Sequence, residues 1–148
     1  MGTIAQLKSA LKSLDIQRVA SEAVDESKDS ILDLNVMQMN RGLRADGSFI
    51  SPSYSPMTVE IKKAKGQPYD RVTLRDTGEF QREIYAIVQG IKIDIGSRNW
   101  KESKIEKKYS KARGSIFGLS EKYANTYIED DLRPIFNKKI SDVTGLKF

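Results

Sequence analysis

The sequence predicts an α+β fold, in which one antiparallel β-sheet is covered by helices from the two ends of the chain. Two apolar segments joined by a glycine-containing turn form the expected hairpin at about residues 84–95. Apolar residues with helical three-and-four spacing fill the N-terminal part and return near the C-terminus. With 148 residues, the chain is expected to form a single domain, 1–148, with long extended loops between these elements.

Residues 1–40 are predicted to be helical. A first helix begins at a capping box formed by Thr3 and Gln6, because a side-chain oxygen and a side-chain amide spaced in this way satisfy free backbone N–H groups. Asp15 has the character of a second N-cap, and the helix after it is expected to continue to about Met39. The apolar positions that support these two helices are Ile4, Leu7, Leu11, Leu14, Ile16, Val19, Ala20, Ala23, Val24, Ile31 and Leu34.

Residues 41–75 are predicted to form a loop-rich arm, because glycine and proline recur too often for a long regular element. Asp46-Gly47 is a hairpin-type turn signal, and Ser55-Pro56 resembles an N-cap followed by proline in the first turn of a short helix that reaches Ala64. A connection of this length inside a compact domain is often functional. We therefore expect the arm to become ordered against neighbouring subunits.

Residues 76–97 are predicted to form a turn and a β-hairpin. Asp76, Thr77 and Gly78 favour a turn, and one helical turn is expected from Thr77 to about Arg82, with Asp76 and Glu79 at capping-box spacing. A two-residue turn at Gln89-Gly90 would place three pairs of residues opposite each other on one face of the sheet. These pairs are Val88 with Ile91, Ala86 with Ile93, and Ile84 with Ile95; Val72–Leu74 is a candidate third strand.

Residues 98–115 are predicted to be a basic loop, and residues 116–145 a C-terminal helix. Ser120 is the expected N-cap, Pro134 is expected to kink or restart the helix, and Thr144-Gly145 is a typical helix stop. The apolar residues after Ser120 return to helical spacing and should supply the second half of the core.

Positive charge is concentrated in the basic loop. Its excess of five positive charges between residues 98 and 113 equals the net charge of +5 for the whole chain. A segment of this kind implies a polyanion or an acidic protein surface as its neighbour. The candidate contact residues are Arg98, Lys101, Lys104, Lys107, Lys108, Lys111 and Arg113. Three interpretations stay open: a solvated loop that keeps the protein soluble, DNA contacted through its backbone, and an acidic subunit. Of the two neighbours we favour the subunit.

Catalysis has little support in the composition. The chain contains no histidine and no cysteine, which removes the commonest general base, thiolate nucleophiles and the usual zinc ligands. The densest acidic cluster is Glu129, Asp130 and Asp131, but adjacent carboxylates on a helix point in different directions, so a solvated face or subunit contact is expected there. We predict a protein that is not an enzyme, with no catalytic, cofactor or metal site. No apolar run has membrane-spanning length, so no membrane partner is expected.

One segment resembles a known family. The residues Leu74 to Phe80, followed by Ile84, resemble the Leu-x-x-Thr-Gly-x-Leu-x-x-Ser-Ile pattern of small neck and tail-completion proteins of tailed phages. The family-motif residues are Asp76, Thr77, Gly78, Phe80 and Ile84. Phe80 replaces the leucine of the pattern, and Arg82-Glu83 replaces the small residue before the isoleucine.

The resemblance extends over roughly residues 40–88 and looks closest to virion morphogenesis proteins of phages and prophages of Bacteroides and of crAss-like phages. Asp46-Gly47, the segments Tyr54–Val59 and Ile61–Gly66, and Val72–Leu74 occur in the family's order. A weaker similarity lies at Ile116–Ser120, before the last helix. None of these motifs is catalytic in the family.

What the resemblance implies is a structural virion protein, made in the host bacterial cytoplasm and located in the neck or tail. Such proteins act as copies of themselves in a ring, twelvefold or sixfold, next to portal, connector or tail proteins and around passing DNA. The alternative from a different class is a soluble, non-specific nucleic-acid-binding protein that acts through residues 98–113. A third reading, an enzyme that uses carboxylates alone, would depend on Glu129, Asp130 and Asp131.

Overall fold

A computed structural model describes residues 3–110 and 114–147 of the chain. The expected α+β fold is confirmed: a two-stranded antiparallel sheet lies among helices from both ends of the chain. The helices are α1 (Ile4–Ser13), α2 (Ile16–Glu26), α3 (Lys28–Asn40), α4 (Pro56–Ala64), α5 (Glu79–Arg82), α6 (Glu102–Tyr109), α7 (Glu121–Thr126) and α8 (Arg133–Thr144). The strands are β1 (Ile84–Gln89) and β2 (Lys92–Ser97), and a π-helical turn (Tyr127–Leu132) joins α7 to α8. Within these described ranges no helix combines the length and the apolarity needed to cross a bilayer.

The N-terminal helices begin where the sequence predicts. In the capping box before α1, the Thr3 N–H donates to Gln6 Oε1 at 2.7 Å and the Gln6 N–H donates to Thr3 Oγ1 at 3.3 Å. The predicted single helix from Asp15 to Met39 is wrong, because the chain breaks between α2 and α3 at Ser27. The Ser27 hydroxyl bonds to the Ala23 carbonyl and to the Tyr127 hydroxyl, both at 2.7 Å, so a contact with the distant π-helical turn accompanies the break.

The hairpin has the predicted faces but not the predicted pairing. Val88 lies opposite Ile93 and Ala86 opposite Ile95, so each partner is displaced by two residues from our expectation. The turn consists of Gly90 and Ile91, with φ of 63° at Gly90, which is typical of the two-residue hairpin turns that place glycine first. A displacement by two keeps the alternation of faces, and Ile91 becomes an exposed turn residue.

The helix does not restart at proline. Pro134 lies in the first turn of α8, but Leu132 before it already has helical dihedral angles, φ of −75° and ψ of −50°, and the π-helical turn accommodates the proline within a continuous helical stretch. The last helix ends at Gly145, which has φ of 73°. Through these elements α8 packs against α2 and α1, while the π-helical turn packs against α3.

The main core combines residues from distant parts of the sequence. Its buried members are Met39, Ile50, Val72, Phe80, Ile84, Tyr109, Ile116 and Phe117. The rings of Phe80 and Phe117 lie 6.1 Å apart in a tilted arrangement. This contact joins residues 74–80, which we call the family-motif loop, to the segment before α7. This core also contains residues from the predicted arm and from the predicted basic loop, so both segments belong to the folded domain.

The expectation that residues 41–75 form an arm ordered only by neighbouring subunits is wrong. Ile50 and Val72 are buried in the main core, and α4 begins at Pro56 behind its Ser55 cap as predicted. The candidate third strand at Val72–Leu74 is absent, since the Thr73 N–H donates to the Tyr54 hydroxyl at 2.9 Å and its carbonyl accepts from a glutamine side chain. Side chains, rather than a strand ladder, satisfy this backbone.

The predicted basic loop is also only partly a loop. Residues Glu102–Tyr109 form α6, which buries Tyr109 and half-buries Ile105 against the core. A segment with two apolar anchors in helical register can be held by the core on one side. Its lysines therefore project from a fixed helix instead of a free chain.

Candidate interaction site

A buried arginine, Arg44, connects two segments of the chain next to the candidate site. Arg44 is 2% exposed, and its guanidinium donates to the carbonyl oxygens of Phe49 at 2.6 Å and Ser51 at 2.9 Å. Its Nε donates to the Tyr109 carbonyl at 2.8 Å, at the C-terminal end of α6. A positive charge at a helix C-terminus is favourable, because the free carbonyls there carry partial negative charge. Arg44 thus ties the 44–51 loop to the helix that carries the basic residues.

The family-motif loop has an unusual backbone. Leu74 has φ of 56° and Gly78 has φ of 88°, and for leucine this left-handed conformation is strained. A Cβ atom at position 78 would lie 2.8 Å from the guanidinium of Arg82, which donates to the Thr77 carbonyl at 3.2 Å. The predicted capping box between Asp76 and Glu79 does not form, and Gly78 caps α5 without a side-chain bond.

Helix α4 and the residues that follow it hold the family-motif loop through hydrogen bonds. Lys62, which is 6% exposed, donates to the Arg75 carbonyl at 2.7 Å and lies 4.9 Å from the Tyr54 ring centroid. Gln67 donates to the Asp76 carbonyl at 2.8 Å, and Lys65 donates to the Asp76 carboxylate. A buried ammonium needs such partners, because removing it from water is costly. The loop is therefore held rigidly by residues outside the motif.

Electrostatics at the loop follow from the same contacts. The hydrogen bond from Lys65 lowers the pKa of Asp76 below the usual 3.8 and outweighs desolvation, which raises the pKa; the charges of Lys65, Lys62 and Lys101 act in the same direction as the hydrogen bond. Because Asp76 is largely exposed, water screens much of this attraction. The carboxylate therefore stays ionised near neutral pH without storing much stabilisation.

These elements enclose an open cleft of about 440 Å³ between α4, the family-motif loop and α6. Its floor is apolar and includes Leu74, Phe80 and Ile105. Its rim carries four cations and two carboxylates: Lys62, Lys65, Arg75 and Lys101, with Asp76 and Glu79. An apolar floor with a predominantly positive rim suits a ligand that combines an apolar anchor with negative charge.

A basic surface adjoins the cleft. It comprises Arg98, Lys101, Lys104, Lys107 and Lys108, all exposed, together with the single tryptophan, Trp100, which is 74% exposed. Within the described ranges, none of these cations has a carboxylate within 4.0 Å, although nine other ion pairs are present. Four of them lie over aromatic rings: Lys101 and Lys104 are 5.2 Å and 5.9 Å from the Trp100 centroid, Arg98 is 5.2 Å from that of Tyr85, and Lys108 is 5.1 Å from that of Tyr109. Their charge is therefore available to an external anion.

The structure brings only part of the predicted site together. Asp76, Thr77, Gly78 and Phe80 line the cleft, whereas Ile84 is in the core away from it. Among the described basic residues Lys101 lines the cleft, whereas Arg98, Lys104, Lys107 and Lys108 lie outside it. Lys111 and Arg113 lie outside the described residues.

Sequence reasoning missed the cations that α4 and the motif itself supply. Lys62, Lys65 and Arg75 were all within the segments that carry the family resemblance, but no role was assigned to them. The four-residue and three-residue spacing between Thr58, Lys62 and Lys65 placed them on one helix face and was the available signal. The role of Arg44 had no local signal, because its partners are distributed between residues 48 and 109.

The acidic cluster lies elsewhere, on the π-helical turn. Glu129 accepts from Arg133 at 2.6 Å, while Asp130 is exposed and Asp131 half-exposed, and neither has a cation within 4.0 Å among residues 3–110 and 114–147. In those same ranges no group of three acidic residues is close enough to hold a metal ion.

Comparison of the chain with protein-family models, curated proteins and solved structures finds no match.

Proposed function

We propose that the chain is a non-enzymatic structural protein of a tailed-phage virion, located in the neck or tail, which acts as one copy in a ring. The resemblance of residues 74–84 to tail-completion and neck proteins suggests the class, and it suggests twelvefold or sixfold symmetry. The partners would be further copies of the chain and the adjacent portal, connector or tail proteins. Synthesis would take place in the host cytoplasm.

The observation that carries the proposal is the surface area. The chain has an accessible surface of 9710 Å², whereas a compact monomer of 16.7 kDa is expected to have about 7,600 Å². The excess of about 2,100 Å² is larger than the roughly 1,600 Å² that one copy would bury in two interfaces of standard size. A ring subunit forms two such interfaces, one with each neighbour.

Exposed apolar side chains support the same proposal. Ile4 is 86% exposed, and α1 buries none of its residues even though its apolar residues have helical spacing. Met57, Phe49 and the hairpin-tip residue Ile91 are also more than two thirds exposed. Exposed apolar side chains from several elements are typical of surfaces that partners cover. The contacts between copies would therefore use rigid faces, and not a flexible arm.

Electron microscopy of the purified chain, together with mass spectrometry of purified virions, tests the proposal. We expect closed rings of uniform copy number, and the chain among the virion proteins at a multiple of six copies. Virions that lack the chain, combined with a purified protein that never forms rings, would refute the assignment.

The basic surface favours a second candidate function, non-specific binding of nucleic acid. Five exposed cations, of which Lys101 and Lys104 lie beside Trp100, could contact phosphates while the indole stacks on a base. A salt titration of duplex and single-stranded DNA binding separates the two functions. A monomer that binds DNA with a slope of about −4 in log K against log salt supports this candidate, because each neutralised phosphate contributes about −0.7 to −0.9. If only the assembled ring binds DNA, the result supports the ring function, with the cations arranged around the passing DNA.

A further inference from the structure

We propose that the cleft of one copy binds residues 128–131, within the π-helical turn, of the next copy. The contact between neighbours is then head-to-tail. This inference rests on the proposed ring, and it names the surfaces that join one copy to the next. The two surfaces belong to different elements: α4, the family-motif loop and α6 build the cleft, whereas the π-helical turn packs against α3, α7 and α8.

The cleft offers an apolar floor and an excess of positive charge, since its lining holds four cations against Asp76 and Glu79. Arg75 and Lys101 are exposed on its rim and have no carboxylate within 4.0 Å in the described part of the chain. Lys65 is already paired with Asp76, and Lys62 is engaged by the Arg75 carbonyl. Arg75 and Lys101 are therefore the cations left for an incoming carboxylate.

The π-helical turn offers the complementary chemistry. Ile128 is 40% exposed and lies in the same π-helical turn as Glu129, Asp130 and Asp131. Glu129 is paired with Arg133, which leaves Asp130 and Asp131 as carboxylates without a partner among the described residues. An exposed apolar side chain in a turn that carries unpaired carboxylates matches a cleft with an apolar floor and unpaired cations on its rim.

A second copy is the occupant that the geometry favours over an unrelated protein. The basic cleft and the acidic turn are present in equal number on every copy, so each copy can give one contact and receive one. A contact between two different surfaces is heterologous, and repeated heterologous contacts close into rings when the rotation allows. The contact thus supplies the symmetry that a ring needs, which a contact between identical surfaces does not.

The test is a charge reversal on each side, followed by mixing. The cleft variant is Arg75→Glu with Lys101→Glu, and the turn variant is Asp130→Lys with Asp131→Lys. In either variant alone, both surfaces have the same sign, so association should weaken at least about a hundredfold, because like charges placed together in an interface cost several kcal/mol. When the two variants are mixed one to one, they can alternate along the assembly. The acidic cleft of the first variant then faces the basic turn of the second, and the basic cleft of the second faces the acidic turn of the first. Assembly should return.

Size-exclusion chromatography with light scattering is the readout. The control is Lys138→Glu with Lys147→Glu, two exposed lysines outside the cleft and the π-helical turn, which lowers the net charge by the same amount as the cleft variant and should assemble as the wild type. Circular dichroism of each variant establishes that it is folded. Rings that persist in both reversed variants, or that the control also loses, would overturn the contact while leaving the ring function in place. Filaments that show the same reversal and rescue would support the contact and refute the closed ring. A wild type and a mixture that both remain monomeric would refute both.

Discussion

Two regions of the chain differ in how far their residues are buried, in a way that neither their composition nor their secondary structure suggests. Residues 41–75 have little regular structure outside α4, yet Arg44, Ile50 and Val72 are buried. Residues 98–110 contain a regular helix, yet their cations are exposed and have no ion-pair partner among the described residues. The first region completes its hydrogen bonds inside the domain, whereas the second leaves its charges to solvent or to a partner.

This difference indicates which kind of segment can form an interaction surface. Loops rich in glycine and proline can belong to the core when side chains such as Arg44 and Gln81 satisfy their carbonyls. A helix can be a contact surface when the core holds only one of its faces. Three paired substitutions and one pH measurement test this difference, each at one fixed protein concentration because assembly would change the apparent stability.

The largest difference is expected between two arginines. Arg44→Met removes five side-chain hydrogen bonds and leaves buried carbonyl oxygens without donors, so we expect a loss of about 4 kcal/mol in the free energy of unfolding. Arg98→Met removes an exposed stacking contact with Tyr85 and should cost less than about 1 kcal/mol. Urea titration measures both. Equal losses would show that the two regions do not differ.

The next pair compares apolar anchors. Ile50→Ala leaves a cavity in the main core and should cost about 3 kcal/mol, whereas Ile105→Ala removes a half-buried side chain from α6 and should cost about 1 kcal/mol. In a thermal scan, the first variant should melt roughly 10 °C below the wild type and the second within roughly 4 °C. A larger effect at position 105 would mean that α6 belongs to the core more firmly than the predicted arm does.

A third pair compares lysines. Lys62→Met leaves the Arg75 carbonyl without its donor and should cost about 2 kcal/mol, while Lys107→Met on the exposed side of α6 should change stability by less than about 0.5 kcal/mol. Guanidinium titration measures the loss. If Lys62→Met were neutral, the rigidity that we assign to the family-motif loop would be contradicted.

The smallest effect concerns pH. The pKa of Asp76 is lower in the folded protein than its ordinary 3.8, so Asp76 contributes stability above that pH, and this contribution is lost as the pH falls through the folded pKa. Because the carboxylate is exposed, we expect less than about 0.5 kcal/mol. The stability difference between wild type and Asp76→Asn should shrink between about pH 5 and pH 2. A difference that grows on acidification would reverse the assigned sign.

Local signals predicted much of the fold. The caps at Thr3, Asp15 and Ser55, the stop at Gly145 and the faces of the hairpin depend on residues a few positions apart. Such signals act through backbone geometry that neighbouring residues determine. They are therefore readable without the tertiary structure.

The errors come from long-range contacts and from one competing turn. The break at Ser27 accompanies a hydroxyl contact with Tyr127, one hundred residues away. The hairpin turn places Gly90 first, which a pattern of alternating apolar residues cannot distinguish from a turn at Gln89. The cleft itself was not predicted: the motif and Lys101 were identified as separate features, and Lys62, Lys65 and Arg75 acquire their position only when α4 packs on the loop.

Sedimentation velocity of the purified chain, over a hundredfold range of concentration, tests most directly whether this domain completes its burial with copies of itself. We expect one discrete species of fixed copy number, at a multiple of 16.7 kDa, which dissociates only on dilution or at high salt. A single 16.7 kDa species at every concentration would contradict the account.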